Sequence, residues 1–131
     1  MEHAAEAGTA ALTEFFDRYG NALIVDDLST IAACYAMPGL VVADDATFSF
    51  TTPAAVEAAF AGASETYREK GLVAARAELR EVSWLTPALA IVAVTWEYLD
   101  ARGWAVPGES YRYVLRIVGG KPVICVVIPT G

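Results

Sequence analysis

The chain has 131 residues, of which 56% are hydrophobic and 19% are charged. This length suits one domain, and the composition excludes an intrinsically disordered chain. A net charge of −7 with only nine Lys and Arg argues against nucleic-acid binding and against an anionic membrane surface.

The mean hydropathy of +0.42 is high for a small acidic chain. The longest stretches without a charged residue, Leu28–Ala43 and Val82–Trp96, contain serine, threonine and proline. Both are shorter than the roughly 20 apolar residues of a spanning helix. We therefore expect the apolar residues to be buried in a soluble fold, to line a pocket or to face another subunit.

The two cysteines, Cys34 and Cys125, are too few and too far apart for a disulfide scaffold or a metal cluster. The N-terminus carries acids and leads directly into a helical pattern, unlike a secretory signal. We expect a cytoplasmic protein with reduced cysteines, no metal and no cofactor. Because the single histidine, His3, lies at the terminus, a histidine-dependent catalytic dyad is not expected.

The first part of the chain is predicted to be helical. Apolar residues at three- and four-residue spacing predict an amphipathic helix, with Leu12, Phe15, Phe16, Tyr19 and Leu23 on its buried face. Asp26 and Asp27 favour the start of a short second helix, which Met37–Gly39 is expected to end.

A hairpin and a third helix are predicted next. Leu40–Val42 and Thr47–Phe50 are typical of two short strands that turn at Asp44 and Asp45. Thr52 followed by proline is a helix start, and the apolar spacing extends this helix to Gly71.

The second part of the chain, from Leu72 to Ile128, reads as four strands separated by turns at Thr86–Pro87, Arg102–Gly108 and Gly119–Lys121. Three helices followed by consecutive strands predict an α+β fold, with the helices packed on one face of a strongly curved, mainly antiparallel sheet. No linker or repeat divides the chain, so residues 1–131 are expected to form a single domain.

The strand register is predicted by centring the long turn near Trp104. It gives the cross-strand pairs Glu97–Arg112, Trp96–Tyr113 and Tyr98–Tyr111. The aromatic residues then share one face, while the other face carries Ile91, Ala93, Leu99, Val114 and Val118. An antiparallel sheet with one solvated face alternates more cleanly than this. The sequence therefore predicts a homodimer through the outer face of the sheet.

Aromatic residues are the candidates for a ligand pocket. The predicted set is Phe15, Tyr19, Tyr35, Trp96, Tyr98, Tyr111 and Tyr113. Such side chains suit a flat or ring-bearing molecule, and ordinary core packing is the alternative for each of them.

Two acidic residues are candidates for a general base. Asp44 is also a typical turn residue, and Glu97, the one acid between Ala88 and Leu99, would equally form a salt bridge with Arg112. If Glu97 faces the interior instead, loss of solvent would raise its pKa and favour proton transfer.

The order of these elements resembles the nuclear transport factor 2-like superfamily over residues 9–128. The features that support this resemblance are the long helix, the Asp-Leu-x-x-Ile start of the second helix, the Pro-Ala-Ala-Val start of the third helix, and the four strands. The superfamily includes ketosteroid isomerase, SnoaL-type polyketide cyclases and many bacterial proteins. The resemblance implies a cone-shaped barrel of the cystatin-like type, formed by a single SnoaL-like domain, with a deep apolar pocket and dimerisation through the sheet.

The segment Tyr19–Ile31 matches the start of ketosteroid isomerase without a gap. On this alignment Tyr19 falls on the tyrosine that donates to the substrate oxyanion, and the second donor falls near Tyr113. The general-base aspartate falls on Ala43, next to Asp44. The resemblance thus implies the fold of the isomerase without its base.

Three functions are compatible with these residues. The first is a protein that binds a small apolar or aromatic molecule without catalysis. The second is an enzyme of the isomerase, cyclase or dehydratase type, with Tyr19 as donor and Asp44 or Glu97 as base. The third is a structural dimerisation module, because this kind of scaffold hosts enzymes and non-enzymes alike.

Overall fold

A computed structural model describes residues 2–131 of the chain, with side chains described from residue 8 onward. In this part of the chain, two helices, two strands and two further helices precede four consecutive strands. The helices are α1 (Glu2–Val25), α2 (Leu28–Ala33), α3 (Pro53–Phe60) and α4 (Ala63–Glu69). The strands are β1 (Tyr35–Val42), β2 (Thr47–Phe50), β3 (Leu72–Thr86), β4 (Leu89–Asp100), β5 (Ala105–Val118) and β6 (Lys121–Pro129).

The strands form one curled, six-stranded sheet in the order β2-β1-β6-β5-β4-β3. β1 and β6 run parallel, and every other neighbouring pair is antiparallel. The sheet does not close, since β2 and β3 remain its edges. Helix α1 packs against β3, and α2 packs against α3. The predicted α+β class and mainly antiparallel sheet are confirmed.

Two helix starts follow the predicted caps. The Asp27 carboxylate accepts from the backbone N–H of Thr30 at 3.3 Å and caps α2. The Thr52 hydroxyl accepts from the backbone N–H of Ala55 at 3.2 Å, and Pro53 occupies the first turn of α3. Each side chain satisfies a backbone donor that the first turn of a helix leaves free.

The predicted end of the second helix at Met37–Gly39 is wrong, because α2 stops at Ala33 and these residues belong to β1. The helix ends where the backbone N–H of Cys34 donates to the carbonyls of Thr30 and Ile31. The Cys34 carbonyl accepts from the N–H of Ile124 at 2.7 Å. This bond directs the chain into the sheet beside β6 before the proline is reached.

The predicted third helix is divided into α3 and α4. Gly62 separates them with a φ of 87°, in the left-handed region that only glycine enters at little cost. The apolar spacing continues across this break, so periodicity alone predicted one helix.

Helix α1 approaches the sheet closely where it lacks a side chain. A Cβ added to Gly20 would lie 2.8 Å from the Trp96 ring. Gly108 has the same role on β5, since a Cβ there would lie 2.6 Å from the Tyr98 ring. These two glycines leave space for the large rings of β4, and Gly20 does not interrupt α1.

The predicted register of β4 and β5 is wrong. Arg112 lies opposite Ala93, four residues before Glu97, and Tyr111 and Tyr113 lie opposite Val94 and Val92. The turn is tighter than predicted, because the Asp100 carboxylate accepts from the backbone N–H groups of residues 102 and 104, both at 2.9 Å. Strand β5 therefore begins immediately after this turn.

A slip of four residues keeps every side chain on its predicted face, because side chains alternate with a period of two. Trp96, Tyr98 and Tyr113 are buried on the inner face. The Glu97 carboxylate points to the outer face, but its ion-pair partner is Arg76 of β3, not the predicted Arg112. No helix in residues 2–131 has the length and apolar content of a membrane span.

Candidate functional site

A cavity of about 270 Å³ lies between the helices and the concave face of the sheet. Its wall is formed mainly by aromatic side chains from α1, α3, α4, β1, β4 and β5, and β6 adds a valine and a proline. The lining residues are Tyr19, Leu23, Tyr35, Val41, Phe60, Tyr67, Trp96, Tyr98, Tyr111, Tyr113, Val127 and Pro129. We call this space the inner cavity.

Most of the predicted pocket residues meet at the inner cavity, namely Tyr19, Tyr35, Trp96, Tyr98, Tyr111 and Tyr113. Phe15 is not among its lining residues, although it was predicted with them. Its ring lies behind that of Tyr19 in a parallel stack, with 6.3 Å between centroids. Phe15 is 1% exposed and thus supports the cavity wall from the core.

Tyr19 and Tyr35 form a hydrogen-bonded pair at the inner cavity. Their hydroxyl oxygens are 2.7 Å apart, and either hydroxyl can be the donor. The pair carries two hydroxyl protons and uses one of them in this bond. The second proton remains available to a molecule in the cavity.

Tyr113 provides another donor. The Trp96 indole N–H donates to the Tyr113 hydroxyl at 2.9 Å, so this oxygen acts as the acceptor. Among the hydrogen bonds of the described residues, the Tyr113 hydroxyl donates none. Its proton is free, and the bond from Trp96 holds the oxygen in place.

Five phenols of the inner cavity have raised pKa values and stay protonated. Burial is the main cause that raises the pKa values of Tyr19, Tyr35 and Tyr113 above the ordinary value of tyrosine. The pKa values of Tyr98 and Tyr111 are also raised, again first by burial. At neutral pH the wall is therefore uncharged and supplies hydrogen bonds.

The raised pKa values predict that the fold loses stability as the pH rises. Below about pH 10 a phenol is protonated in both the folded and the unfolded chain, so it adds no pH dependence. Above this pH the unfolded chain releases its phenolic protons first, which lowers the free energy of unfolding. Thermal unfolding followed by circular dichroism should give a Tm that falls steeply above about pH 10.

Near-ultraviolet absorbance of phenolate is the second readout for this titration. Ionisation of the buried tyrosines should coincide with unfolding. Ionisation of all six tyrosines near pH 10 in a chain that stays folded would contradict the burial argument.

Neither predicted base lies at the inner cavity. Asp44 is exposed in the turn between β1 and β2, and Glu97 points to the outer face of the sheet. The lining of the inner cavity includes no carboxylate. Glu109 is linked to the lining by one hydrogen bond, since its carboxylate accepts from the Tyr98 hydroxyl at 2.8 Å.

Sequence reasoning missed two groups at this site. Tyr67 and Phe60 belong to the apolar spacing that predicted the third helix, so this spacing was a usable signal. Glu109 gave none, because its contact with Tyr98 depends on the tight turn after β4. The described residues contain no group of three His, Cys, Asp or Glu side chains that could hold a metal ion.

The sequence matches a family described as NTF2-like protein (DUF6841) over residues 8–129. No curated protein matches the chain.

Several solved structures share the fold at low sequence identity. An NTF-2 like protein of unknown function from Shewanella oneidensis is 13% identical, with a TM-score of 0.67 over 94% of this chain and 98% of that one. A domain of unknown function with a cystatin-like fold from Nostoc punctiforme is 14% identical, with a TM-score of 0.68 over 95% and 76%. An NTF2-like protein with a cystatin-like fold from Novosphingobium aromaticivorans is 14% identical, with a TM-score of 0.66 over 92% and 79%.

Proposed function

The chain belongs to the NTF2-like protein (DUF6841) family, and on this premise we propose that it binds a small, uncharged aromatic molecule in the inner cavity. The family match confirms the resemblance that the order of helices and strands predicted. The observation that carries the proposal is the pair of free hydroxyl protons, one on Tyr113 and one shared by Tyr19 and Tyr35, in a wall made mainly of aromatic and aliphatic side chains.

The size of the inner cavity supports a ligand of one or two rings. Its volume is about 270 Å³. An apolar cavity of about 150 Å³ holds one benzene molecule. A two-ring molecule with one hydroxyl or carbonyl group would fill the space and accept from a free tyrosine hydroxyl.

The absence of charge from the lining favours an uncharged ligand. The side chains that line the inner cavity are apolar or carry neutral hydroxyl and indole groups. A buried ion without a partner of opposite charge loses its hydration without compensation. A carboxylate or an ammonium group is therefore expected to be rejected.

Two matched probes test this proposal. We expect 2-naphthol to bind in isothermal titration calorimetry and to raise the Tm of the chain. Its anionic relative 2-naphthoate should bind at least about tenfold more weakly, since an unpaired buried charge costs more than 1.4 kcal/mol. Equal binding of both probes, or no binding of 2-naphthol, would contradict the proposed function.

We further propose that the chain forms a homodimer through the outer face of the sheet. An apolar stripe crosses this face, where Ile91 lies opposite Val114 and Val114 lies opposite Val126. These side chains are only half-buried in the single chain. A second copy would cover them, and burial of apolar area stabilises such an interface.

Charge on the outer face supports the same arrangement. Glu81 of β3 lies opposite Ala93 of β4, and Ala93 lies opposite Arg112 of β5. A twofold axis along β4 would place β3 of one copy over β5 of the other. Glu81 would then face Arg112 of the partner subunit, and each pair would occur twice.

The cytoplasm is the compartment that fits these cysteines. Cys34 and Cys125 are both free. Free thiols persist in a reducing compartment, whereas an oxidising one favours disulfides. We expect both thiols to react with a thiol reagent when the protein is purified under denaturing conditions without reductant.

A further inference from the structure

A second cavity adjoins the inner one. It also has a volume of about 270 Å³ and opens beside α4 and the start of β5. Its lining residues are Ala63, Thr66, Tyr67, Lys70, Leu72, Tyr98, Val106, Pro107 and Glu109. We call this space the outer cavity.

Two tyrosine rings separate the inner and outer cavities. Tyr67 and Tyr98 line both of them, and their ring centroids are 5.2 Å apart. Tyr67 is only half-buried and belongs to the short helix α4. Passage between the two cavities requires the ring of Tyr67 to turn aside by a change of rotamer, which is fast for side chains that reach the surface.

The outer cavity differs from the inner one in polarity. Lys70, Thr66 and Glu109 line it, whereas the inner cavity has no charged lining residue. The Glu109 carboxylate accepts one hydrogen bond from Tyr98, at 2.8 Å. An ionised carboxylate has about four acceptor sites, so Glu109 can accept from a second donor.

We propose that both cavities form one binding site for an elongated aromatic molecule with a hydroxyl group at each end. One ring occupies the inner cavity, and the other passes between Tyr67 and Tyr98 so that its hydroxyl donates to Glu109. Two cavities of about 270 Å³ each together reach the roughly 300–1,000 Å³ of ordinary ligand pockets. This inference rests on the proposed function, because it assigns the inner cavity to the first ring.

Length selectivity is the readout that distinguishes this inference from the proposed function. The probes are 2-naphthol, which fits the inner cavity, and 4,4′-dihydroxystilbene, which would extend into the outer one. In isothermal titration calorimetry with the wild type, we expect the stilbene to bind at least about tenfold more tightly, since its second ring buries additional apolar area worth about 1.4 kcal/mol or more.

A Val106→Trp variant should close the outer cavity without touching the inner one. Val106 lines only the outer cavity and is 41% exposed. We expect its stilbene affinity to fall at least about tenfold, because overpacking costs about 1–3 kcal/mol, and its 2-naphthol affinity to change less than about twofold. The same substitution at Val73, which is 56% exposed and lines neither cavity, is the matched control.

A Glu109→Gln variant tests the end group and does not depend on the tryptophan variant folding. It should lower the affinity for 4,4′-dihydroxystilbene about fivefold, because a hydrogen bond to a charged acceptor is roughly twice as strong as a hydrogen bond to a neutral one. The probe 4-hydroxystilbene has a single hydroxyl, which would bind in the inner cavity. Its affinity for the Glu109→Gln variant should therefore equal its affinity for the wild type. Tight 2-naphthol binding with no preference for the longer probe would overturn this inference and leave the proposed function standing. Failure of 2-naphthol to bind would remove both.

Discussion

A Val127→Trp variant is expected to lose 2-naphthol affinity by about a hundredfold. Val127 lines the inner cavity and is 7% exposed, so an indole ring at this position occupies the volume assigned to the ligand. A ligand that overlaps the ring has to displace packed side chains, at a cost of about 1–3 kcal/mol. Isothermal titration calorimetry with the wild type and the variant measures the loss.

The matched control for the cavity-filling variant is Val73→Trp, which adds the same side chain at an exposed position. It should bind 2-naphthol as the wild type does. A Val41→Phe variant narrows the inner cavity from β1 and gives an independent test if Val127→Trp lowers the yield of folded protein. Undiminished binding by a filled variant with a native circular dichroism spectrum would place the ligand elsewhere.

Reversal of the charge of Arg112 is expected to separate the proposed dimer into monomers. In the proposed arrangement the Arg112→Glu side chain faces Glu81 of the partner subunit, and the twofold axis repeats this repulsion. Like charges placed together cost several kcal/mol, so the dimer dissociation constant should rise by at least about a hundredfold. Sedimentation velocity at micromolar concentrations should show the change in mass.

A double variant provides the sharper test of this interface. Glu81→Arg combined with Arg112→Glu exchanges the two charges and should restore the dimer, which a general loss of stability would not. Arg102→Glu makes the same charge change in the exposed turn between β4 and β5 and should leave the dimer unchanged. A wild-type chain that sediments as a monomer would contradict the proposed dimer.

Local patterns predicted the elements of this fold because the physical causes of those elements are local. The apolar stripe of α1, the cap at Asp27 and the Thr52-Pro53 start of α3 each depend on residues within one or two turns. The alternation of side chains along a strand placed Trp96, Tyr98 and Tyr113 on one face of the sheet. This assignment is confirmed even though the predicted register of β4 and β5 was wrong.

The errors occurred where a distant partner or a backbone bond decided the outcome. The chain enters the sheet directly after Cys34 because the Cys34 carbonyl accepts from the backbone N–H of Ile124, ninety residues along the chain. Asp100 tightens the turn after β4 through two backbone N–H groups, which moved Arg112 away from Glu97 and left Arg76 as the partner of that carboxylate.

The sequence by itself determined the face of the sheet on which Trp96, Tyr98 and Tyr113 lie, since this follows from the period of two along a strand. Only the tertiary structure decided how the hydroxyls of Tyr19 and Tyr35 meet, and that Trp96 fixes the oxygen of Tyr113. It also decided that the Glu109 carboxylate accepts from the Tyr98 hydroxyl, while no acid lines the inner cavity. Such pairings join residues far apart in the chain, so packing fixes them where no local pattern can.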